Sequence, residues 1–139
     1  MRTKTIFSAF VIASATLIAA CGGKSSDIDK VIKSTTAGNL TITLASPTGE
    51  LKSGDNQLTI TFADSSGKPL DVGAASLNFH MPAMGSMSEM NDKATLTTTN
   101  TPGRYRANVT LEVGGTWEAQ VKYQGAQGTG QASLTVNAK

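Results

Sequence analysis

The stretch FHMPAMGSMSEM, from Phe79 to Met90, carries the only histidine of the chain and every methionine except the initiator. Met81, Met84, Met87 and Met90 recur at every third position directly after His80. Thioethers are soft ligands that take Cu(I) or Ag(I) and hardly bind zinc, magnesium or calcium, while imidazole suits copper in either oxidation state. The predicted ligand set for a soft metal is therefore His80, Met81, Met84, Met87 and Met90. Packing is the competing account, because methionine is flexible and polarizable and plugs the irregular end of a core well. That account covers one or two of the four, yet the other large aliphatic positions are Leu, Val and Ile, with no further methionine. A methionine-rich surface is also an adaptable docking surface for a partner protein. Exposed methionines can, thirdly, absorb oxidants as sulfoxides that a reductase reverses.

Other chemistry is poorly supplied. The single histidine has no acidic partner close in sequence and no serine stands in a nucleophile-elbow context, so no hydrolytic triad is proposed and the chain is not expected to be an enzyme. Glu89 and Asp92 flank the methionines, but two carboxylates without an oxygen-rich loop make no calcium site. The triplets at Asn39 and Asn108 match a glycosylation pattern that threonine-rich strands generate freely. Arg104 and Arg106 on either side of Tyr105 read as solvent-facing neighbours of a buried tyrosine.

The compartment decides which of these ligands is available. Arg2 and Lys4 precede an almost uncharged segment from Ile6 to Ala20, too short for a comfortable span of about 20 residues, and the small residues Ala19 and Ala20 lead to Cys21. LIAAC closely resembles the lipobox of bacterial lipoproteins, which implies that residues 1–20 are a signal peptide and that Cys21 is lipidated and becomes the first mature residue. Several acyl chains, at about 0.8 kcal/mol per buried CH₂, make a stable anchor. Cys21 is the only cysteine, so this use leaves no thiol for a disulfide, a nucleophile or a thiolate metal site. Gly22 rather than Asp after it resembles the sorting pattern for an outer membrane facing the periplasm in a Gram-negative host.

The chain has 12 Lys and Arg against 10 Asp and Glu. Loss of Arg2 and Lys4 with the signal brings the mature chain to neutrality, 10 against 10. A neutral chain without a basic cluster or interleaved aromatics is a poor nucleic-acid binder. Residues 21–38, rich in Gly, Ser, Thr and alternating charge, read as the lipidated cysteine followed by a flexible linker. Residues 39–139 are then the size of one domain.

That domain alternates with period two. Leu40, Ile42 and Leu44; Leu58, Ile60 and Phe62; Ala75, Leu77 and Phe79; Tyr105, Ala107, Val109 and Leu111; Trp117, Ala119, Val121 and Tyr123; and Ala132, Leu134 and Val136 each lie on one face of a short segment. KATLTTTN is a weaker seventh strand. Seven alternating segments with Gly and Pro turns predict an all-β fold, a seven-stranded antiparallel immunoglobulin-like β-sandwich, without the disulfide of that fold. The methionine stretch then falls where the third strand ends, on a rim loop, and Pro82, Gly85, Ser86 and Ser88 argue against a helix there.

NFHMPAMG, then GRYRANVTL, then GGTWEAQV resemble the YtkA-like domain family of small exported or lipid-anchored β-sandwich proteins, over most of residues 40–136. The resemblance implies a β-sandwich, a link to copper handling or to the assembly of copper-containing oxidases, and a copper role for Met81 and Met84. Met87 and Met90 extend the motif, and their ligand role rests on chemistry alone. A looser similarity is to periplasmic Cu(I) chaperones of the CusF-like type, which use one His, two Met and a Trp that caps the metal by a cation–π contact. His80, Met81, Met84 and Trp117 are the same kinds of group, although the alternation places Trp117 in the core. The expectation is a lipid-anchored copper carrier, buffer or metallochaperone that exchanges Cu(I) with a partner protein. The alternative is a structural or assembly accessory whose apolar loop docks a partner without metal.

Overall fold

The structure, a computed structural model, describes residues 29–139. The expected signal peptide, the lipidation at Cys21 and the linker up to residue 28 lie outside the described residues. Nine strands follow: β1 (Lys30–Ala37), β2 (Leu40–Ser46), β3 (Gly54–Ala63), β4 (Ala74–Met81), β5 (Met90–Lys93), β6 (Thr95–Thr98), β7 (Arg104–Leu111), β8 (Gly115–Gly125) and β9 (Gly128–Ala138). They form two antiparallel sheets, ordered β1-β2-β3-β7-β6 and β5-β4-β8-β9. The all-β sandwich that the alternation implies is therefore the fold, with nine strands rather than seven.

The two additional strands are those whose sequence alternates least. β1 lies inside the segment expected to be a flexible linker, and that expectation is corrected over Lys30–Ala37. It is an edge strand that buries no residue fully, has a register shift between Val31 and Lys33, and is held mainly by its ladder to β2. A strand held by backbone bonds has little need of an apolar stripe, which is why its polar sequence reads as a tether. β5 has only four residues and runs into β6 through the buried Ala94, whose N–H donates to the Leu77 carbonyl at 2.9 Å. At Ala94 the chain leaves the four-stranded sheet and joins the five-stranded one, closing that side of the sandwich.

The inward faces are those read from the alternation. Ile42, Leu44, Phe62, Leu77, Phe79, Leu111, Trp117 and Val121 are fully buried between the sheets. Trp117 donates its indole N–H to the Val113 carbonyl at 3.1 Å, so the one polar atom of the largest core residue is satisfied. Phe62 meets the edges of Tyr105 (5.8 Å between centroids, 90°) and Tyr123 (5.7 Å, 68°), tying the two sheets by aromatic contacts. The Tyr105 hydroxyl donates to the Gly73 carbonyl at 2.8 Å, fastening the β3–β4 crossover. That crossover also presses the Leu70 backbone onto Gly103, where φ is +82° and a Cβ would stand 2.1 Å from the Leu70 oxygen. Only glycine satisfies both conditions there.

Candidate metal centre

β4 and β5 are the two arms of a hairpin, and its register places every candidate ligand. Met81 pairs with Met90 and His80 with Asn91. Three residues further along each arm, in the same register, Met84 and Met87 exchange backbone hydrogen bonds of 3.1 and 2.9 Å. Gly85 and Ser86 form the two-residue tip. Gly85 has φ +57° and no described residue other than glycine, Ser86 included, has a positive φ, the pattern of a type II′ turn, whose twist suits a hairpin. The stretch expected to be an irregular rim loop is thus a hairpin end.

Successive strand residues face opposite sides, and this separates the five candidate ligands. Met81 continues the inward row of Leu77 and Phe79 and is 3% exposed. Its terminal methyl lies against Gly115, where an added Cβ would come within 3.3 Å of it. Met90, opposite Met81, is half-buried and packs on the same core. His80 lies on the other face of β4, half-buried. Met84 and Met87 are 55% and 43% exposed. The four evenly spaced methionines thus serve two different ends: Met81 and Met90 fill the core, and Met84 and Met87 stand side by side at the tip. In a hydrogen-bonded antiparallel pair the Cα atoms are about 5.5 Å apart with both side chains on one face, and the long methionine side chains can bring two sulfurs to one ion.

His80 has surroundings that the sequence reading missed. Its Nδ1 is 3.0 Å from the Asn91 side-chain oxygen. Asn91 also accepts from Asn78 Nδ2 at 3.4 Å, and Asn78 contacts Gln120 Oε1 at 3.5 Å. On the other side of β4 the direct partner of His80 is Glu118 in β8. A two-residue Gly-Ser hairpin tip between Met84 and Met87 is a sequence signal for this register, and it would have placed Asn91 beside His80. Asp92 accepts the Glu112 N–H at 3.2 Å, and Glu89 is exposed. Among the described residues no three His, Cys, Asp or Glu side chains come together. Trp117 is fully enclosed, so its ring is a core element and offers no open face.

No curated protein and no solved structure matches this chain. The YtkA-like family matches residues 34–122, from within β1 to β8. That span includes the buried Met81, the Gly85 turn, Gly103 under the crossover, Tyr105 bound to Gly73, and the Gly115 and Trp117 start of β8. With most of its length covered by that match, the chain belongs to the YtkA-like family.

Proposed function

We propose that this protein is an exported, lipid-anchored carrier that holds Cu(I), or Ag(I), at the tip of the β4–β5 hairpin and passes it to a partner protein. The observation that carries this reading is the exposed cross-strand pair Met84 and Met87 on a tight turn. Two thioethers on one face are a soft, proton-independent grip, and their exposure lets a partner's ligands displace them one at a time. Met81 and Met90 support the hairpin from the core side and are not ligands in this reading. No catalytic step is needed, since a carrier only exchanges its ion. The anchor at Cys21 and an envelope location follow from the lipobox resemblance.

The test is a competition titration of the full chain in detergent with Cu(I) against a chromophoric chelator, under anaerobic reducing conditions. Binding that disappears in Met84→Leu/Met87→Leu and persists in Met81→Leu supports the carrier. Failure of the unaltered chain to compete sinks it. The same exposed, apolar tip favours one second reading, a docking surface for an assembly partner. The leucine pair keeps the apolar surface and removes the sulfur, so docking survives that change while metal binding fails.

A further inference from the structure

We infer a second, chemically distinct metal position on the outer face of the four-stranded sheet, formed by His80 Nε2 and the Glu118 carboxylate and suited to a borderline divalent cation. It does not depend on the thioether pair, which lies four residues further along the hairpin, about 13 Å at 3.3 Å per residue.

The argument starts from the ring's other nitrogen. The Asn91 carboxamide oxygen can only accept, so Nδ1 is the protonated, donating nitrogen at 3.0 Å. The neutral ring then carries its lone pair on Nε2, which has no hydrogen-bond partner among the described residues. Imidazoles that hold metals almost always donate their second nitrogen in this way, which fixes the tautomer and orients the lone pair. Glu118 is the direct cross-strand neighbour of His80, and such neighbours have Cβ atoms about 4.5–5.5 Å apart. That separation lets one imidazole and one carboxylate close on a single ion. Glu118 Oε1 accepts a long hydrogen bond from Gln120 Nε2 at 3.5 Å, and its second oxygen has no hydrogen-bond partner among the described residues. No lysine or arginine shares the cross-strand row of Asn91, His80, Glu118 and Thr135; Lys93 and Lys122 lie one and two rows away. One nitrogen, one carboxylate and water suit Cu(II), Ni(II) and Zn(II), with Cu(II) held most tightly by the usual order of divalent ions.

The chain's single histidine makes the test direct. The full chain in detergent is titrated with Cu(II) and examined by pulsed EPR, where a coordinated imidazole shows modulation from its remote nitrogen. Any such signal belongs to His80. The expected result is that signal at one ion per chain, lost in His80→Ala, weakened in Glu118→Gln and unchanged in Met84→Leu/Met87→Leu. Asn91 is a positioning residue: Asn91→Leu weakens binding about 10- to 100-fold, and Asn91→Asp, which keeps an acceptor, restores it. Far-UV circular dichroism of each variant confirms the sheet. Cu(II) binding without an imidazole signal, or binding unaffected by His80→Ala, overturns the assignment. A signal indifferent to Glu118→Gln removes the carboxylate and overturns the two-ligand site. Loss of Cu(I) competition with retention of this signal refutes the carrier alone.

Discussion

Met81 and Met84 belong to the same short motif, and the structure predicts opposite consequences for them. Met81→Ala removes Cγ, Sδ and Cε from a side chain 3% exposed and seated against Gly115. At about 0.8 kcal/mol per methylene-sized group, the lost transfer energy is about 2 kcal/mol. A void of roughly 60 Å³ that the sheets do not fill adds about 1.5 kcal/mol at 24 cal/mol per Å³. The expected loss is therefore about 3–4 kcal/mol, a fall of roughly 2 M in the urea midpoint at a slope of about 1.5 kcal/mol/M. Met81→Leu nearly conserves volume and costs less than about 1.5 kcal/mol. Met84→Leu, on a side chain 55% exposed, changes stability by no more than about 0.5 kcal/mol. Urea unfolding followed by tryptophan fluorescence measures all three through the buried Trp117. Cu(I) competition on the two leucine variants completes the comparison, with loss expected only for Met84→Leu. A stable Met81→Ala, or a Met81→Leu that folds normally and no longer competes for Cu(I), would refute the division of the motif into core and tip.

Three further substitutions test the crossover and the hairpin turn. Gly103→Ala puts a Cβ 2.1 Å from the Leu70 oxygen at φ +82°, so the crossover must move and the variant is expected to unfold or lose most of its stability. Gly85→Ala has a similar φ sign, +57°, but open space around the new Cβ, and is limited to backbone strain of about 1–3 kcal/mol; thermal melts of the two separate crowding from strain. Tyr105→Phe removes the bond to the Gly73 carbonyl, which is exposed enough to turn to water, and costs about 0.5–1.5 kcal/mol. Burial, helped by the nearby Asp71 charge, raises the Tyr105 pKa above the ordinary tyrosine value of 10.0. The unfolded chain thus gives up this proton first, and the associated stability is complete below that value and lost as pH rises through the folded pKa. Urea midpoints from pH 8 to 11.5 should fall less steeply for Tyr105→Phe than for the unaltered chain.

Most of the fold was legible because the sandwich buries one face of each strand. The rows through Ile42, Phe62, Leu77, Val109 and Val121 announce themselves by period two. β1 was hidden because an edge strand with a register shift buries nothing fully, and β5 because MNDK is four polar-leaning residues at a corner. The site was partly legible. Spacing by three suggests a cluster, but the backbone has a period of two, and extending Leu77 and Phe79 by one step already assigns Met81 to the core. The Gly-Ser tip determines the remaining placement. Asn91 and Glu118 were harder to find, since a neighbour of His80 is defined by register between strands and not by distance along the chain.

The last strand has a consequence for how the domain is made. β9 covers the whole of β8, and beyond it Leu51, buried between β2 and β3, bonds to Lys139 and bridges Ala138 in parallel. Residues from the early and final parts of the domain thus close the same end. Such long-separation contacts gain energy only after a large loop has been closed, which slows folding. A chain lacking β9 would leave the edge of β8 unpaired and Leu51 uncovered, a sticky intermediate rather than a smaller domain. The sandwich is therefore expected to form in a single late event after all of β9 has emerged, and shortened versions that stop before Gly128 should aggregate instead of yielding a half-folded domain.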